Sequence, residues 1–178
     1  MLLETVEDTW AFGARLAALL RPGDLLILTG SLGAGKTALT QGIGEGLKVE
    51  GTVASPTFVI ARIHKGSTPL VHVDAYRLGG LDELDDLDLD ATVEDSVTVV
   101  EWGAGVAEQL SSDHLEIRID RRPDDVRELT LHPTGGDWAE RLRALALSPV
   151  SARLSLASVV RGYRQKWGGG RRPRGLNC

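Results

Sequence analysis

Leu25-Leu26-Ile27-Leu28, then Gly30-Ser31-Leu32-Gly33-Ala34-Gly35-Lys36-Thr37, is the stretch from which the fold of this chain is read. The aliphatic run, opened by the turn Pro22-Gly23-Asp24, has the length and composition of a short buried strand, and Lys36 onward has the spacing of a helix. The octet between them fits G-x-x-x-x-G-K-[ST], and strand-loop-helix is the context that pattern needs. In such a loop successive backbone N–H groups turn toward one point at a helix N-terminus, where unpaired donors and the positive end of the helix dipole favour a phosphate. The glycines allow close approach, Lys36 reaches the β- and γ-phosphates, and the Thr37 hydroxyl joins a Mg²⁺ shell. A Gly-rich turn that fits by coincidence is the bland alternative.

Composition sets bounds around that motif. The chain of 178 residues, 42% hydrophobic, is long enough for one full core and short for two. No run approaches the roughly 18 apolar residues of a membrane span, and Met1 to Trp10 is acidic where a signal peptide is basic. A cytoplasmic protein with no membrane partner is expected. The only cysteine is Cys178, which leaves no disulfide framework and no thiolate metal site. Charge is unevenly spread: residues 1 to 140 carry all 25 acids against 11 Lys and Arg, whereas residues 141 to 178 carry 9 basic residues and no acid. A body so acidic repels nucleic acid unless a partner supplies the positive surface.

Outward from the loop, the chain reads as one α/β unit. Upstream, Trp10, Leu16, Ala17 and Leu20 recur at helical spacing, with acids in the first turn and Arg21 in the last. Thr9, near the start of this helix, is a candidate for the nucleotide base, beside the plainer reading of an ordinary helix residue. Downstream, Ala38, Leu39, Ile43 and Leu47 continue a helical stripe to about Lys48. Ser55-Pro56-Thr57-Phe58 then breaks the pattern, the proline holding Thr57 in an extended loop where a γ-phosphate switch could lie. Two strands about Lys65-Gly66-Ser67-Thr68 form a hairpin whose second member delivers His72-Val73-Asp74-Ala75-Tyr76-Arg77 at its C-terminal end, where ligands of open α/β sheets collect. Alternation groups His72, Asp74 and Tyr76; Asp74 is a candidate organiser of water or Mg²⁺, and His72 reads more readily as a structural, hydrogen-bonded histidine.

Leu78 to Asp95 interleaves acids with leucines and lacks the D-x-[DN]-x-[DN]-G order of a calcium loop, so a short amphipathic helix with a solvated face is expected. Val97-Thr98-Val99-Val100-Glu101-Trp102 is the second signature: a β-branched strand ending in one carboxylate, the position from which P-loop folds hold Mg²⁺. Trp102 beside it packs or covers the site. His114 to Asp120 and Val126 to His132 form a last hairpin whose Arg121, Arg122 and Arg127 are either a charged turn or a phosphate-contacting lid. Trp138 to Leu147 closes the domain as a helix. From Ser148 the composition turns to Ser, Arg and Gly, as in a basic tail with too little apolar surface to fold alone. The expected division is a P-loop domain over 1–147 and a disordered tail over 148–178.

The phosphate loop, Ser55-Pro56-Thr57-Phe58, His72-Val73-Asp74-Ala75-Tyr76-Arg77-Leu78 and Glu101-Trp102, in this order and at these separations, together resemble the TsaE (YjeE) family over about residues 1 to 145. That resemblance implies a P-loop NTPase fold with a mixed, mostly parallel sheet flanked by helices. It also implies ATP and Mg²⁺ as cofactors, and work with TsaD and TsaB in making threonylcarbamoyladenosine beside the anticodon of tRNA. It further implies that Thr37 and Glu101 hold Mg²⁺, that Thr57 and Asp74 lie near the γ-phosphate, that Trp102 supports the site, and that tRNA is reached through the complex. Nucleotide contacts are then expected from Thr9, the loop Gly30 to Thr37, Ala38 and Arg127. Ser31 stands where many relatives carry an acid, and Ala38 where a second threonine is common.

Two other functions fit a phosphate loop. A small-molecule kinase would need an acceptor pocket and an arginine-bearing lid, for which only Arg121-Arg122 offers itself. A GTP-driven switch of the Ras type would read guanine with N-K-x-D, yet the sole asparagine is Asn177.

Overall fold

The computed structural model describes residues 1–56, 60–77 and 93–147. Thr57 and Phe58, most of the acid-rich stretch expected to be an amphipathic helix, and the basic tail from Ser148 lie outside the described residues. Along the chain run β1 (Leu2–Leu3), α1 (Val6–Leu16), β2 (Leu25–Thr29), α2 (Lys36–Gly46), β3 (Ala61–His64), β4 (Leu70–Asp74), β5 (Val97–Glu101), β6 (His114–Arg121), β7 (Arg127–Thr134) and α3 (Trp138–Leu147). The strands make one seven-stranded sheet in the order β1-β7-β6-β2-β5-β4-β3. Its centre, β6-β2-β5-β4, is parallel, and the pairs β1-β7, β7-β6 and β3-β4 are antiparallel. The expected mixed, mostly parallel sheet with two hairpins is therefore present.

Placement of β2 at the middle follows from its composition. Leu25, Leu26, Ile27 and Leu28 are all fully buried, because a parallel strand at the centre of a sheet is covered on both faces. Alternation divides these residues between two cores. Leu26 and Leu28 join Val97, Val99, Leu115 and Ile117 under Phe12 and Leu16 of α1 and Leu39 and Ile43 of α2. Leu25 and Ile27 face the other way, with Val71, Val73, Val100 and Ala107. Trp138 of α3, also fully buried, packs into the first core.

Two helix ends differ from the sequence reading. α1 starts on a capping box, the Thr5 hydroxyl accepting from the Asp8 N–H at 3.1 Å and Asp8 accepting from the Thr5 N–H at 3.0 Å. It ends at Leu16, followed by a 3-10 turn over Ala17–Leu19. Arg21 thus lies beyond the helix, its N–H given to Asp24 at 2.8 Å and its guanidinium to Asp137 at 3.0 Å. α2 stops at Gly46, short of the expected Lys48, because Lys48 takes the left-handed conformation at φ 56°. Its N–H bonds Glu45 O at 3.0 Å while the Val49 N–H bonds Gly44 O at 3.0 Å, the paired bonds of a Schellman cap.

Candidate functional site

Strand parity brings the acidic residues together. Leu70, His72 and Asp74 of β4 face the same side, and in β5 Val97, Val99 and Glu101 face that side too; Leu70, Val97 and Val99 belong to the core beneath α1 and α2. Asp74 and Glu101 are register partners in the parallel pair β4-β5, so both carboxylates sit at the carboxyl end of the sheet, beside the N-terminus of α2. All of Asp74, Glu101 and His72 are buried.

The loop between β2 and α2 is shaped for an anion. Gly30 has φ 136°, and a side chain there would collide with the carbonyl oxygen of Ile119 on the neighbouring strand, so only glycine fits. Gly35 caps α2 in the left-handed region at φ 117°. Behind it, Lys36, Thr37 and Ala38 occupy the first turn of α2, where no preceding helical carbonyl can take their N–H groups.

Lys36 folds back over this loop. Its ammonium donates to Gly30 O at 2.8 Å and Ser31 O at 3.1 Å and lies 3.6 Å from the centre of the Trp102 ring. Burial pushes the Lys36 pKa below its ordinary 10.5, and the charges of Glu101 and Asp74 act against that fall. Trp102 reaches this position because its backbone turns into the left-handed region, φ 63°, immediately after its N–H has extended the ladder to Leu28 O at 2.9 Å. Its other neighbour is Tyr76, tilted at 57° with ring centres 5.1 Å apart.

The Thr37 hydroxyl donates to Glu101 Oε1 at 3.0 Å, with Oε2 at 3.4 Å, joining residues 64 positions apart. The same Glu101 Oε1 lies 2.9 Å from His72 Nε2. A cavity of about 380 Å³ opens above these groups, lined by Leu32, Gly33, Gly35, Lys36, Thr37, Ala38, Ser55, Asp74, Tyr76, Glu101 and Trp102. The donor set fits a nucleotide triphosphate with Mg²⁺: an ammonium and first-turn amides for phosphate, and hard hydroxyl and carboxylate oxygens for a cation that prefers one or two carboxylates plus phosphate and water.

Most of the candidate residues converge here, and the exceptions have physical causes. Ala34 turns its side chain into the core, fully buried, and its N–H goes to Ser31 O at 3.1 Å. Thr9 is not among the residues that line the cavity: it is fully buried beside Gly35, and its hydroxyl donates to the Thr5 carbonyl at 3.2 Å. Arg127 lies beside Gly35 and gives Nη1 to Asp125 O at 2.7 Å, and it is not among the residues that line the cavity. Arg121 approaches Gly33 and is paired with Asp125 at 2.6 Å, as in a charged turn. Thr57 is outside the described residues. Sequence reasoning missed that His72 touches Glu101. The common parity of His72 and Asp74 was visible, but nothing local reveals which strand lies alongside.

The family model described as "Threonylcarbamoyl adenosine biosynthesis protein TsaE" matches residues 3–129. The tRNA threonylcarbamoyladenosine biosynthesis protein TsaE of Streptomyces coelicolor is 60% identical over 135 residues, 71% of this chain and 91% of that protein. The protein of the same name from Bacillus subtilis is 44% identical over 134 residues, 74% of this chain and 84% of its own length. The crystal structure of Bacillus subtilis YdiB is similar in fold, with a TM-score of 0.69 and 37% identity over 82% of this chain and 92% of that one. A P-loop NTPase fold accords with the sheet order and the loop geometry. Among the described residues, no helix is long and apolar enough to cross a membrane.

Proposed function

The chain belongs to the TsaE family, and from that premise we propose that it takes part in threonylcarbamoyladenosine modification of tRNA as a Mg²⁺-dependent ATPase acting with TsaD and TsaB. The single contact that supports the ATPase reading best is Thr37 Oγ1 to Glu101 Oε1 at 3.0 Å. A phosphate-loop hydroxyl and a strand-end carboxylate meeting at one point is the arrangement that holds magnesium against a bound triphosphate.

The protein's own part in such a reaction is positioning and charge neutralisation. Loop amides and the Lys36 ammonium bind the phosphates; Thr37 and Glu101 hold the cation; Asp74, buried at the adjacent strand end, orients the attacking water. The bound magnesium ion supplies positive charge to the phosphate oxygens as negative charge develops on the leaving group. Arg121 and Arg127 are tied to Asp125 of their own turn, and neither is among the residues that line the cavity. Turnover by the isolated chain is therefore slow, and a partner completes the site. Leu32 and Tyr76, 90% and 68% exposed at the cavity mouth, offer apolar surface for that partner. Nucleic acid is reached through the complex, given the acidic body of the chain.

The test is ATP turnover and binding by the full chain, alone and with TsaD and TsaB, with Lys36→Ala as the control. Weak turnover that rises with the partners, and is lost in the variant, is expected. An absence of both ATP binding and partner stimulation overturns the reading.

A further inference from the structure

We propose that His72 is a positioning residue that fixes the Glu101 carboxylate and so sets the affinity of the site for magnesium. The inference rests on the reading of Thr37 and Glu101 as the magnesium-holding pair. His72 is fully buried in β4, with Nε2 2.9 Å from Glu101 Oε1. The same oxygen accepts from Thr37 at 3.0 Å, so one carboxylate oxygen is fixed by two groups, a phosphate-loop hydroxyl and an imidazole. The terminal torsion of a glutamate is broad, and a carboxylate holds one orientation only where donors define it. His72 supplies the donor that comes from the sheet itself.

The other ring nitrogen decides the tautomer. Nδ1 is buried and has no hydrogen-bond partner among the described residues. A buried N–H without an acceptor is costlier than a bare ring nitrogen, so the proton of the neutral ring resides on Nε2 and is donated to Glu101. An aliphatic side chain would fill this position on β4 without leaving any polar atom unpaired. The imidazole instead spends its one N–H on the carboxylate, as outer partners of metal-binding groups commonly do.

Calorimetry with the non-hydrolysable analogue adenylyl imidodiphosphate, at graded Mg²⁺ and in EDTA, tests this in the wild-type chain, His72→Leu and His72→Gln. In EDTA all three bind the analogue within about twofold, because the phosphate loop is untouched. His72→Leu requires roughly 10- to 100-fold more Mg²⁺ for half-saturation, the usual cost of losing such an outer partner. His72→Gln, whose amide nitrogen can stand where Nε2 stood, recovers part of that loss. Half-saturation by Mg²⁺ in His72→Leu within twofold of wild type makes the ring a packing element only and overturns the proposal. If the leucine variant fails to fold, His72→Gln is compared in wild-type and Glu101→Gln backgrounds: a Mg²⁺ effect present in the first and absent in the second is expected, and equal effects in both overturn it. Wild-type binding that ignores Mg²⁺ is a different outcome, which removes the magnesium reading and this inference with it.

Discussion

Trp102→Gly is expected to leave this protein more stable than Trp102→Ala, the reverse of the ordinary order. Both truncations remove the ring, and with it the contact to the Lys36 ammonium at 3.6 Å and to Tyr76 at 5.1 Å. What distinguishes them is the backbone at φ 63°. An L-residue pays about 1–2 kcal/mol to stay left-handed, whereas glycine adopts that region freely and pays about 0.5–1 kcal/mol in unfolded-state entropy. The balance favours glycine by about 1 kcal/mol or slightly less, a difference of about 2–4 °C in melting temperature for a domain of this size. Urea unfolding of the two variants followed by circular dichroism reads it directly. Nucleotide affinity should be equal in both, since each lacks the same ring. An alanine variant as stable as the glycine variant, or more so, refutes the view that Trp102 is held over Lys36 by a strained turn at the end of β5.

Three further outcomes follow from packing and charge. Gly42→Ala destabilises the chain although alanine is the better helix former: its methyl would meet the Trp10 carbonyl where α1 and α2 touch, and about 1–3 kcal/mol of overpacking exceeds about 1 kcal/mol of propensity, as chemical denaturation will read. Asp24→Ala removes two bonds of the buried Arg141 guanidinium, at 2.7 and 2.9 Å, while Asp137 and the Leu19 carbonyl stay in place, and costs about 1–3 kcal/mol, whereas Arg21→Ala, which breaks the exposed pair with Asp137, costs less than about 1 kcal/mol in the same assay. His64, buried in β3 with Nε2 unpartnered among the described residues, has its pKa lowered from 6.5 by burial first and by the nearby His72 and Arg62 next. Between that lowered value and 6.5 the unfolded chain binds more protons, so stability falls as pH drops through this window; His64→Leu should flatten the fall in pH-dependent thermal unfolding.

The sheet's inner strands and the site's main residues were readable because their signals are local. A run of four aliphatics, a β-branched run ending in Glu101, and a glycine loop closed by Lys36-Thr37 each carry their own instruction over a few residues. The hairpin about 65–69 and the helix Trp138–Leu147 were legible for the same reason, through turn residues and period. Helix ends were read less well. α1 gives way to a 3-10 turn at Ala17, and α2 closes on a left-handed Lys48 where a glycine would have announced the cap. Arg127 and Thr9 were candidate ligands by type; the structure sets both beside Gly35 but outside the cavity lining, a placement that depends on how β7 and α1 pack against the loop and that no local signal announces.

The sequence by itself determined that a phosphate loop joins a buried strand to a helix, and that an acid ends a second strand. Only the tertiary structure decided that β5 lies beside β2 and β4 beside β5, which brings Thr37, Glu101 and His72 into one hydrogen-bonded row. It also decided that Leu2–Leu3, too short to announce itself as a strand, pairs with β7. The reason is physical: hydrophobic period and turn chemistry are properties of neighbours in the chain, whereas strand order and register are fixed by which apolar faces bury one another across long separations.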